Sequence, residues 1–282
     1  AVDQVMAVIA RLHPELDAAT LVAIKDDVKA ALPPFNAEIV PGLVNSVMCG
    51  RIANRLDLMG PAYTIDAACA STLIAVEHGM RELAAGRCDA VLVGGVQVST
   101  PGPIHLLFSN LDAASHSGQI APFGAEADGT LLGEGCGILV LKRRVDAERD
   151  GHRIYALLRG VGTASDGRGL GLLAPRFEGQ VLALDRAYES AGIDPGTVGL
   201  IEAHGTATAR GDATEIQSLV ACFGRRKAER ATIALGAVKS MIGHLLPAAG
   251  AASLIKTALA LHHRVLPPTL HADEPNPALK LD

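Results

Sequence analysis

Apolar runs of strand length alternate with stretches of helical period along most of the chain. "AYTID" (62–66) leads into the helical pattern "CASTLIAVEHGMRELAAG" (69–86). "DAVLVGGVQVS" (89–99), "GCGILVLKRR" (135–144) and the longer "IYALLRGVGTASDG" (154–167) read as strands. "FEGQVLALDRAYESAG" (177–192) reads as a helix closed by Gly192. "VGLIEAHG" (198–205) is a strand running into polar residues, and "DATEIQSLVACFG" (212–224) is a helix. "ATIALGAVKS" (231–240) and "PAAGAASLIKTALALHH" (247–263) complete a further strand and an Ala-rich helix. Strands alternating with helices predict an α/β fold. Continuous apolar strands suit sheets covered on both faces. The polar, glycine-bearing segment 108–134 is long for a connection, so it is either functional or packed as an irregular cap. "YTIDAACAS" and "GLIEAHGTAT" both read as a strand that ends on a reactive residue before a helix, which hints at two similar halves.

Composition narrows the picture. The chain has 282 residues, 49% hydrophobic and only 3% aromatic, so its core is built from Ala, Val, Leu and Ile. A net charge of −5 gives no basis for a nucleic-acid partner. No apolar run is long enough to span a bilayer. The opening "AVDQVMAVIARLHPELDAAT" has early charges and no signal-peptide pattern. Five scattered cysteines without a C-x-x-C argue against a disulfide framework or a zinc site, and so for no bound metal and a reducing cytoplasm.

The chemistry is concentrated at three junctions. Cys69 stands where a strand meets a helix, with Ala67, Ala68, Ala70 and Ser71 as small neighbours that permit a sharp turn. Unpaired N–H groups and the helix dipole favour thiolate at such a place. An isolated cysteine is more often a buried small hydrophobe, so the assignment needs partners. His204 lies at a strand end and is followed by Thr206 and Thr208. Lys239 and His244 share another strand-to-helix junction, separated by Gly243. Carboxyl ends of strands are where open α/β sheets present reactive groups. The other histidines, such as His262 and His263, read as surface or helix-end residues. Without context Lys239 is a solvated charge, and Thr206 and Thr208 are loop hydroxyls.

"DAACAS", "EAHGTAT" followed by "GDATE", and "KSMIGHLLPAAG" resemble, in order, the signature blocks of β-ketoacyl synthases, the condensing enzymes of fatty-acid and polyketide assembly. "ADGTLLGEG" (127–135) resembles a further block, and the likeness runs from about Leu43 to Pro268. The segment 34–61 is similar in style to iterative ketosynthases of the polyunsaturated-fatty-acid and enediyne type. The resemblance implies a thiolase-like layered α/β/α/β/α fold of two similar halves: 1–150 with the nucleophile and 151–282 with the two histidines, in one ketosynthase domain. It implies a cytoplasmic homodimer. Cys69 takes an acyl chain from a carrier-protein thioester. His204 and His244 then hold the carbonyl of a carrier-bound malonyl unit during decarboxylation, and Lys239 tunes or holds a neighbour. Thr206 and Thr208 match positions that contact the phosphopantetheine arm of the partner acyl carrier protein, and no cofactor belongs to the domain itself.

The chain departs from the family pattern at Ala207, where glycine is usual, and at Leu245, where threonine is common. Family sequence expected before residue 1 and a glycine-rich block expected after Asp282 are absent, so the domain reads as incomplete at both termini. The alternatives are a non-catalytic, chain-length-controlling partner, a thiolase-type acyltransferase and a Cys–His hydrolase. Retention of Cys69, His204 and His244 argues against the first. The lack of a second cysteine in a late block argues against the second, and two histidines rather than one against the third.

Overall fold

The structure is a computed structural model that describes residues 2–32, 36, 39–98, 100–169, 171, 174–224 and 233–279. Contacts divide the chain into two compact units, Ala1–Thr64 and Ile65–Asp282.

The first unit is helical: α1 (Val2–Leu12), α2 (Ala18–Ala31), α3 (Val40–Leu43) and α4 (Ser46–Leu56). Asp17 caps α2 by accepting the Thr20 N–H at 2.7 Å, the usual solution for orphan N-terminal donors. Met6 is the buried residue of α1, and Lys25 of α2 reaches Asp3 of α1 at 2.6 Å.

The second unit holds α5 (Ser71–Ala84), β1 (Ala90–Gln97), α6 (Gly102–Asn110), β2 (Gly135–Lys142), α7 (Arg144–Arg149), α8 (Phe177–Ala191), β3 (Leu200–Glu202), α9 (Ala209–Phe223), β4 (Ala234–Gly236), α10 (Lys239–Ile242) and α11 (Ala249–His263). β1 and β2 pair antiparallel, from Ala90 opposite Lys142 to Gln97 opposite Gly135. Val91 and Val93 of β1 and Leu141 of β2 turn towards Gly79 of α5, and Gly137 of β2 lies against Ala251 and Ile255 of α11. On the opposite face Leu92, Val96, Ile138 and Val140 are exposed. The expectation of strands covered on both faces is therefore corrected for this pair: exposure alternates with the pleat, as it does when helices pack on one face only. Gly95 is required by proximity. A Cβ there would lie 2.3 Å from Thr72 Oγ1 and 2.6 Å from the Pro247 carbonyl oxygen, the two atoms that hydrogen-bond at 2.5 Å to tie α5 to the approach of α11.

β3 and β4 pair parallel, Leu200 opposite Ala234 and Glu202 opposite Gly236. Between their ends lies a core of Phe123, Ala203, Ile216 and Ala237. Phe123 belongs to the long connection, whose residues Ile120 to Phe123 are buried. One isolated bridge closes the connection on itself, Ala114 to Thr130, and two join it to distant chain, Gly124 to Pro275 and Leu132 to His244. It is thus a packed element that reaches the candidate site.

Two expected strands carry no ladder. Residues 62–66 and 154–167 have no assigned strand bonding among the described residues. Gly160 and Gly162 nonetheless alternate against α8, where a Cβ would lie 2.5 Å from Ala191 N and 2.1 Å from the Ala183 carbonyl oxygen. Close helix contact at alternate positions keeps the strand-like pattern in the sequence without a hydrogen-bonded neighbour. Ser99 and residues 231–232, at the ends of two expected strands, lie outside the described residues, as does part of the segment 34–61. Gly192 closes α8 in the left-handed conformation (φ 60), as expected.

Candidate active site

Cys69 is set by a short chain of local bonds. Ala68 has φ 48, a left-handed conformation that turns the backbone sharply just before the thiol. Its N–H donates to Asp66 Oδ1 (2.9 Å), the Ala67 N–H donates to Ser71 Oγ (2.9 Å), and Ser71 Oγ donates to the Ala68 carbonyl (2.7 Å). Residues Ala68–Ala70 form a 3₁₀ turn, and α5 begins only at Ser71. The turn's amides are thus largely spent locally.

His204 follows the end of β3. Its N–H and that of Gly205 both donate to the Glu215 carboxylate of α9, at 2.6 and 2.8 Å. The Ala207 and Phe123 N–H groups donate to Asp212, at 3.1 and 2.7 Å. Two acids of "GDATE", whose role the motif alone does not disclose, therefore shape the histidine loop. Thr208 caps α9 by accepting the Gly211 N–H at 3.2 Å, and its hydroxyl lies 3.0 Å from that of Thr206.

Lys239 opens α10 and is 2% exposed, so it is not the solvated charge it resembles in isolation. Its Nζ stands 3.4 Å from His204 Nδ1. An ammonium has no lone pair to accept with. It donates to Nδ1, and the proton of the neutral His204 ring therefore sits on Nε2.

His244 is pinned by backbone: its N–H donates to the Leu131 carbonyl at 2.7 Å, and its own carbonyl accepts from the Gly133 N–H at 3.0 Å. This gives the block 127–135 a structural task, since it forms the rail on which His244 rests. The ring's Nδ1 accepts the Leu246 N–H at 3.2 Å, and its Nε2 lies 3.1 Å from Cys69 Sγ. With Nδ1 accepting, Nε2 carries the proton and donates towards sulfur. The two imidazoles stand edge to face, centroids 5.3 Å apart.

The electrostatics follow from burial. Desolvation, reinforced by the Lys239 charge, lowers His204 to about 3 and His244 to about 2. His244 is 2% exposed, whereas His204 is exposed at its surface; the protein packed around its ring and the adjacent Lys239 charge lower it all the same. Both rings are neutral near pH 7. Burial pushes Cys69 above its ordinary 9.0, outweighing the Lys239 charge and a backbone hydrogen bond that favour thiolate. The expectation of a readily ionised thiol at a helix start is corrected accordingly: the sulfur is too dry, and the helix proper begins two residues later. Lys239 is drawn down by desolvation while Glu215, Cys69, Glu202 and Asp212 support its charge. Desolvation also raises Glu215, and raises Asp212 to about 6.

The donor atoms of Cys69, His204 and His244 lie within 4.8 Å of one another, close enough to suggest a metal. The protonation pattern opposes it. The Leu246 N–H keeps the His244 proton on the nitrogen that faces sulfur, and the Lys239 ammonium adds positive charge beside His204. Two neutral N–H donors beside a cation suit a developing anion. His262 and His263 are exposed in the last turn of α11, remote from this arrangement. Among the described residues no helix is long and apolar enough to cross a membrane.

Comparison with known proteins agrees with this architecture. Residues 18–147 match the family model "Beta-ketoacyl synthase, N-terminal domain" and residues 155–273 match "Beta-ketoacyl synthase, C-terminal domain". The chain is 41% identical over 244 residues to a component of the pikromycin polyketide synthase of Streptomyces venezuelae, covering 86% of the chain and 16% of that protein. It is 40% identical over 253 residues to a polyunsaturated fatty acid synthase component from Thraustochytrium, covering 89% and 9%. Among solved structures it resembles the ketosynthase of module 6 of the Bacillus subtilis bacillaene synthase, with TM-score 0.79, 37% identity, and 82% and 41% of the two chains covered. It also resembles an oxazolomycin ketosynthase domain from Streptomyces albus, with TM-score 0.80, 37% identity, and 84% and 41% covered. The chain spans about two fifths of these ketosynthase structures and a small part of the curated relatives.

Proposed function

Because the chain belongs to the β-ketoacyl synthase family, with a thiolase-like fold of polyketide- and fatty-acid-synthase type, we propose that it serves decarboxylative condensation between an acyl thioester and a malonyl thioester. The observation that carries the proposal is the pair of neutral imidazoles, one of them donating Nε2–H towards the Cys69 sulfur at 3.1 Å.

Condensation takes three steps. Cys69 gives up its proton to solvent, and the thiolate fraction attacks the carrier-bound acyl thioester; a new S–C bond forms, the carrier S–C bond breaks, and the departing carrier thiolate takes a proton back from solvent. A malonyl thioester then loses CO₂. The electron pair of the broken C–C bond moves onto the thioester carbonyl as an enolate, and His204 and His244 donate hydrogen bonds to that oxygen. The enolate carbon attacks the Cys69 thioester carbonyl, and collapse of the tetrahedral intermediate expels Cys69 thiolate. Lys239 keeps His204 in the donor tautomer and adds positive potential at the thiolate and the enolate.

The partners in this reading are acyl and malonyl thioesters on an acyl carrier protein, whose phosphopantetheine arm passes Thr206 and Thr208. The Thr208 hydroxyl already caps α9, so that contact rests on the remaining hydrogen-bonding capacity of the pair. The division into a nucleophile-bearing half, 1–150, and a histidine-bearing half, 151–282, is supported by the two family models, which meet between 147 and 155. A cytoplasmic homodimer completes the reading. Identities of 40% and 41% to polyunsaturated-fatty-acid and polyketide synthases favour neither as the pathway class. A Cys–His hydrolase is disfavoured, since two neutral N–H donors stand near the sulfur where a hydrolase needs one histidine as base.

The test is to supply acyl- and malonyl-carrier protein together and follow CO₂ release and product mass. A 3-oxoacyl product that disappears in Cys69→Ala supports the proposal. Plain hydrolysis of the acyl thioester, with no CO₂ released from malonyl, overturns it.

A further inference from the structure

Lys239 owes its place to a turn, and that turn is held from below. Residues 237–238 connect β4 to α10, whose first two residues are Lys239 and Ser240. The Ala237 N–H donates to Thr269 Oγ1 at 3.3 Å, and Ser240 Oγ donates to the Ala237 carbonyl at 2.9 Å while accepting the Leu270 N–H at 3.0 Å. The shortest bond is the Val238 N–H to Glu202 Oε1, 2.6 Å. The other oxygen of the same carboxylate, Oε2, meets Lys256 Nζ of α11 at 2.7 Å, with the two side chains only 7% and 12% exposed. We propose that Glu202 and Lys256 form a positioning pair for the site: Lys256 anchors one oxygen of the carboxylate so that the other fixes the turn presenting Lys239 to His204.

Three features separate this from an ion pair that merely staples β3 to α11. A staple would leave the second carboxylate oxygen to water, whereas here it takes the backbone N–H immediately before Lys239. The surroundings make room for the pair: opposite Glu202 on β4 stands Gly236, where a Cβ would lie 3.3 Å from both Glu202 Oε2 and Lys256 Nζ. Finally, Glu202 precedes His204 by two residues on the strand end. One carboxylate thus ties together the backbone carrying His204 and the backbone carrying Lys239, whose side chains meet at 3.4 Å. Buried ion pairs contribute little net stability and cost most when one partner is removed, so a role in register accounts for this pair better than a role in stability alone.

The proposal rests on the condensation reading, and its test separates the two. Glu202→Gln keeps an acceptor for the Val238 N–H but removes the charge; Lys256→Met removes the anchor. Each is expected to slow CO₂ release from a malonyl thioester by about ten- to a hundredfold, the scale of sub-ångström misplacement of a catalytic group. Glu202→Gln moves the Lys239 titration through the lost charge alone, so positioning is read in the CO₂ release and midpoint of Lys256→Met, which leaves the Glu202 carboxylate in place. The groups facing Lys239 are Glu215, Cys69, Glu202 and Asp212, with His204 and His244 alongside. Loss of the Glu202 charge is therefore expected to shift the Lys239 ammonium midpoint to lower pH. That midpoint is read by NMR of labelled lysine, assigned by its disappearance in Lys239→Met. Unchanged CO₂ release and an unchanged midpoint in folded Lys256→Met would overturn the positioning role. If the single variants do not fold, Glu202→Gln/Lys256→Met leaves no unpaired charge buried. Its CO₂ release stays low if the pair positions Lys239, and a return to the unsubstituted rate overturns the proposal. If the unsubstituted protein releases no CO₂, the condensation reading falls, and the lysine midpoint still decides the pair.

Discussion

His244→Ala removes the side chain that, among the described residues, stands within hydrogen-bonding distance of the Cys69 sulfur, and it discriminates between a donor and a base. In the structure Nδ1 is occupied by the Leu246 N–H at 3.2 Å, so the ring offers sulfur a proton at 3.1 Å rather than a lone pair. The same Nε2–H can serve an enolate oxygen placed beside the sulfur. Loss of a preorganised donor of this type costs about 2.7–4 kcal/mol, or roughly a hundred- to a thousandfold in decarboxylation. A second consequence concerns the thiol. Burial already holds Cys69 above 9.0, and losing a donor to the thiolate raises it further.

The assay pairs CO₂ release from a malonyl thioester with the pH dependence of Cys69 alkylation, located by peptide mass because Cys136 is exposed and competes. In the unsubstituted protein the Cys69 alkylation rate should still be climbing at pH 9, since only the thiolate reacts. In His244→Ala the curve moves to higher pH, while the rates converge where the thiol is fully ionised. Ring ¹⁵N shifts of His204 and His244 should stay constant from pH 5 to 8, because their midpoints lie at about 3 and about 2. Alkylation that is already maximal at pH 6, together with a histidine that titrates with it, would reveal a thiolate–imidazolium pair and refute the donor assignment.

Three further outcomes are expected. Thr208→Ala removes the cap of α9 and should cost about 1 kcal/mol in urea unfolding; an unchanged KM for carrier-bound thioester would leave Thr208 a cap and nothing more. Asp212 has its folded pKa raised from 3.8 to about 6 by burial first and by Glu215 among the smaller causes, so the folded state binds the extra proton and stability falls as pH rises through that window. Asp212→Asn escapes this loss, and its stability relative to the unsubstituted protein should improve by about 2 kcal/mol between pH 4 and 7; a constant difference would contradict it. Ala207 (φ 60) is fully buried and Ala68 (φ 48) is exposed. Glycine relieves about 1–2 kcal/mol of left-handed strain at either, offset by about 0.5–1 kcal/mol of added chain entropy and, at Ala207 alone, by about 0.8 kcal/mol of lost burial. Ala207→Gly should thus be nearly neutral and Ala68→Gly stabilising, as calorimetry would show; the reverse order would count against the backbone assignments.

The near-neutrality at Ala207 explains why the chain tolerates alanine where its family usually has glycine. It also indicates which features sequence can disclose. Cys69, His204, Lys239 and His244 were legible because each stands at the end or start of an element whose period is visible. The blocks around them are contiguous, as in "KSMIGHLLPAAG". Helices α5, α8, α9 and α11 were legible for the same reason, with Gly192 marking the end of α8, whereas the helices of the first unit, α6 and α7 were not. The segment 154–167 was misread because an apolar, alternating pattern also records close packing on a neighbour, which Gly160 and Gly162 make against a helix; residues 62–66 are largely exposed and show no such packing. The thiol was misread because a cysteine's sequence neighbours reveal a helix start but not how dry the sulfur is.

What sequence concealed most fully was the work of the acids. Glu215 is spent on the N–H groups of His204 and Gly205, Asp212 on those of Phe123 and Ala207, and Glu202 on that of Val238. Two of these partners lie 36 and 89 residues away, beyond any local motif; the others share the block 202–215, which shows the acids side by side with the histidine loop but not what they bond. Each carboxylate could instead have faced a histidine directly, and that would have favoured imidazolium and a thiolate–imidazolium pair. Turned onto backbone amides, the same three acids shape the loops that carry His204 and Lys239. They support the Lys239 charge from a distance and leave both imidazoles neutral. A site needs that distribution if it is to donate hydrogen bonds to an enolate without protonating it: negative charge absorbed by the scaffold, positive charge on one buried lysine, and neutral N–H donors at the sulfur.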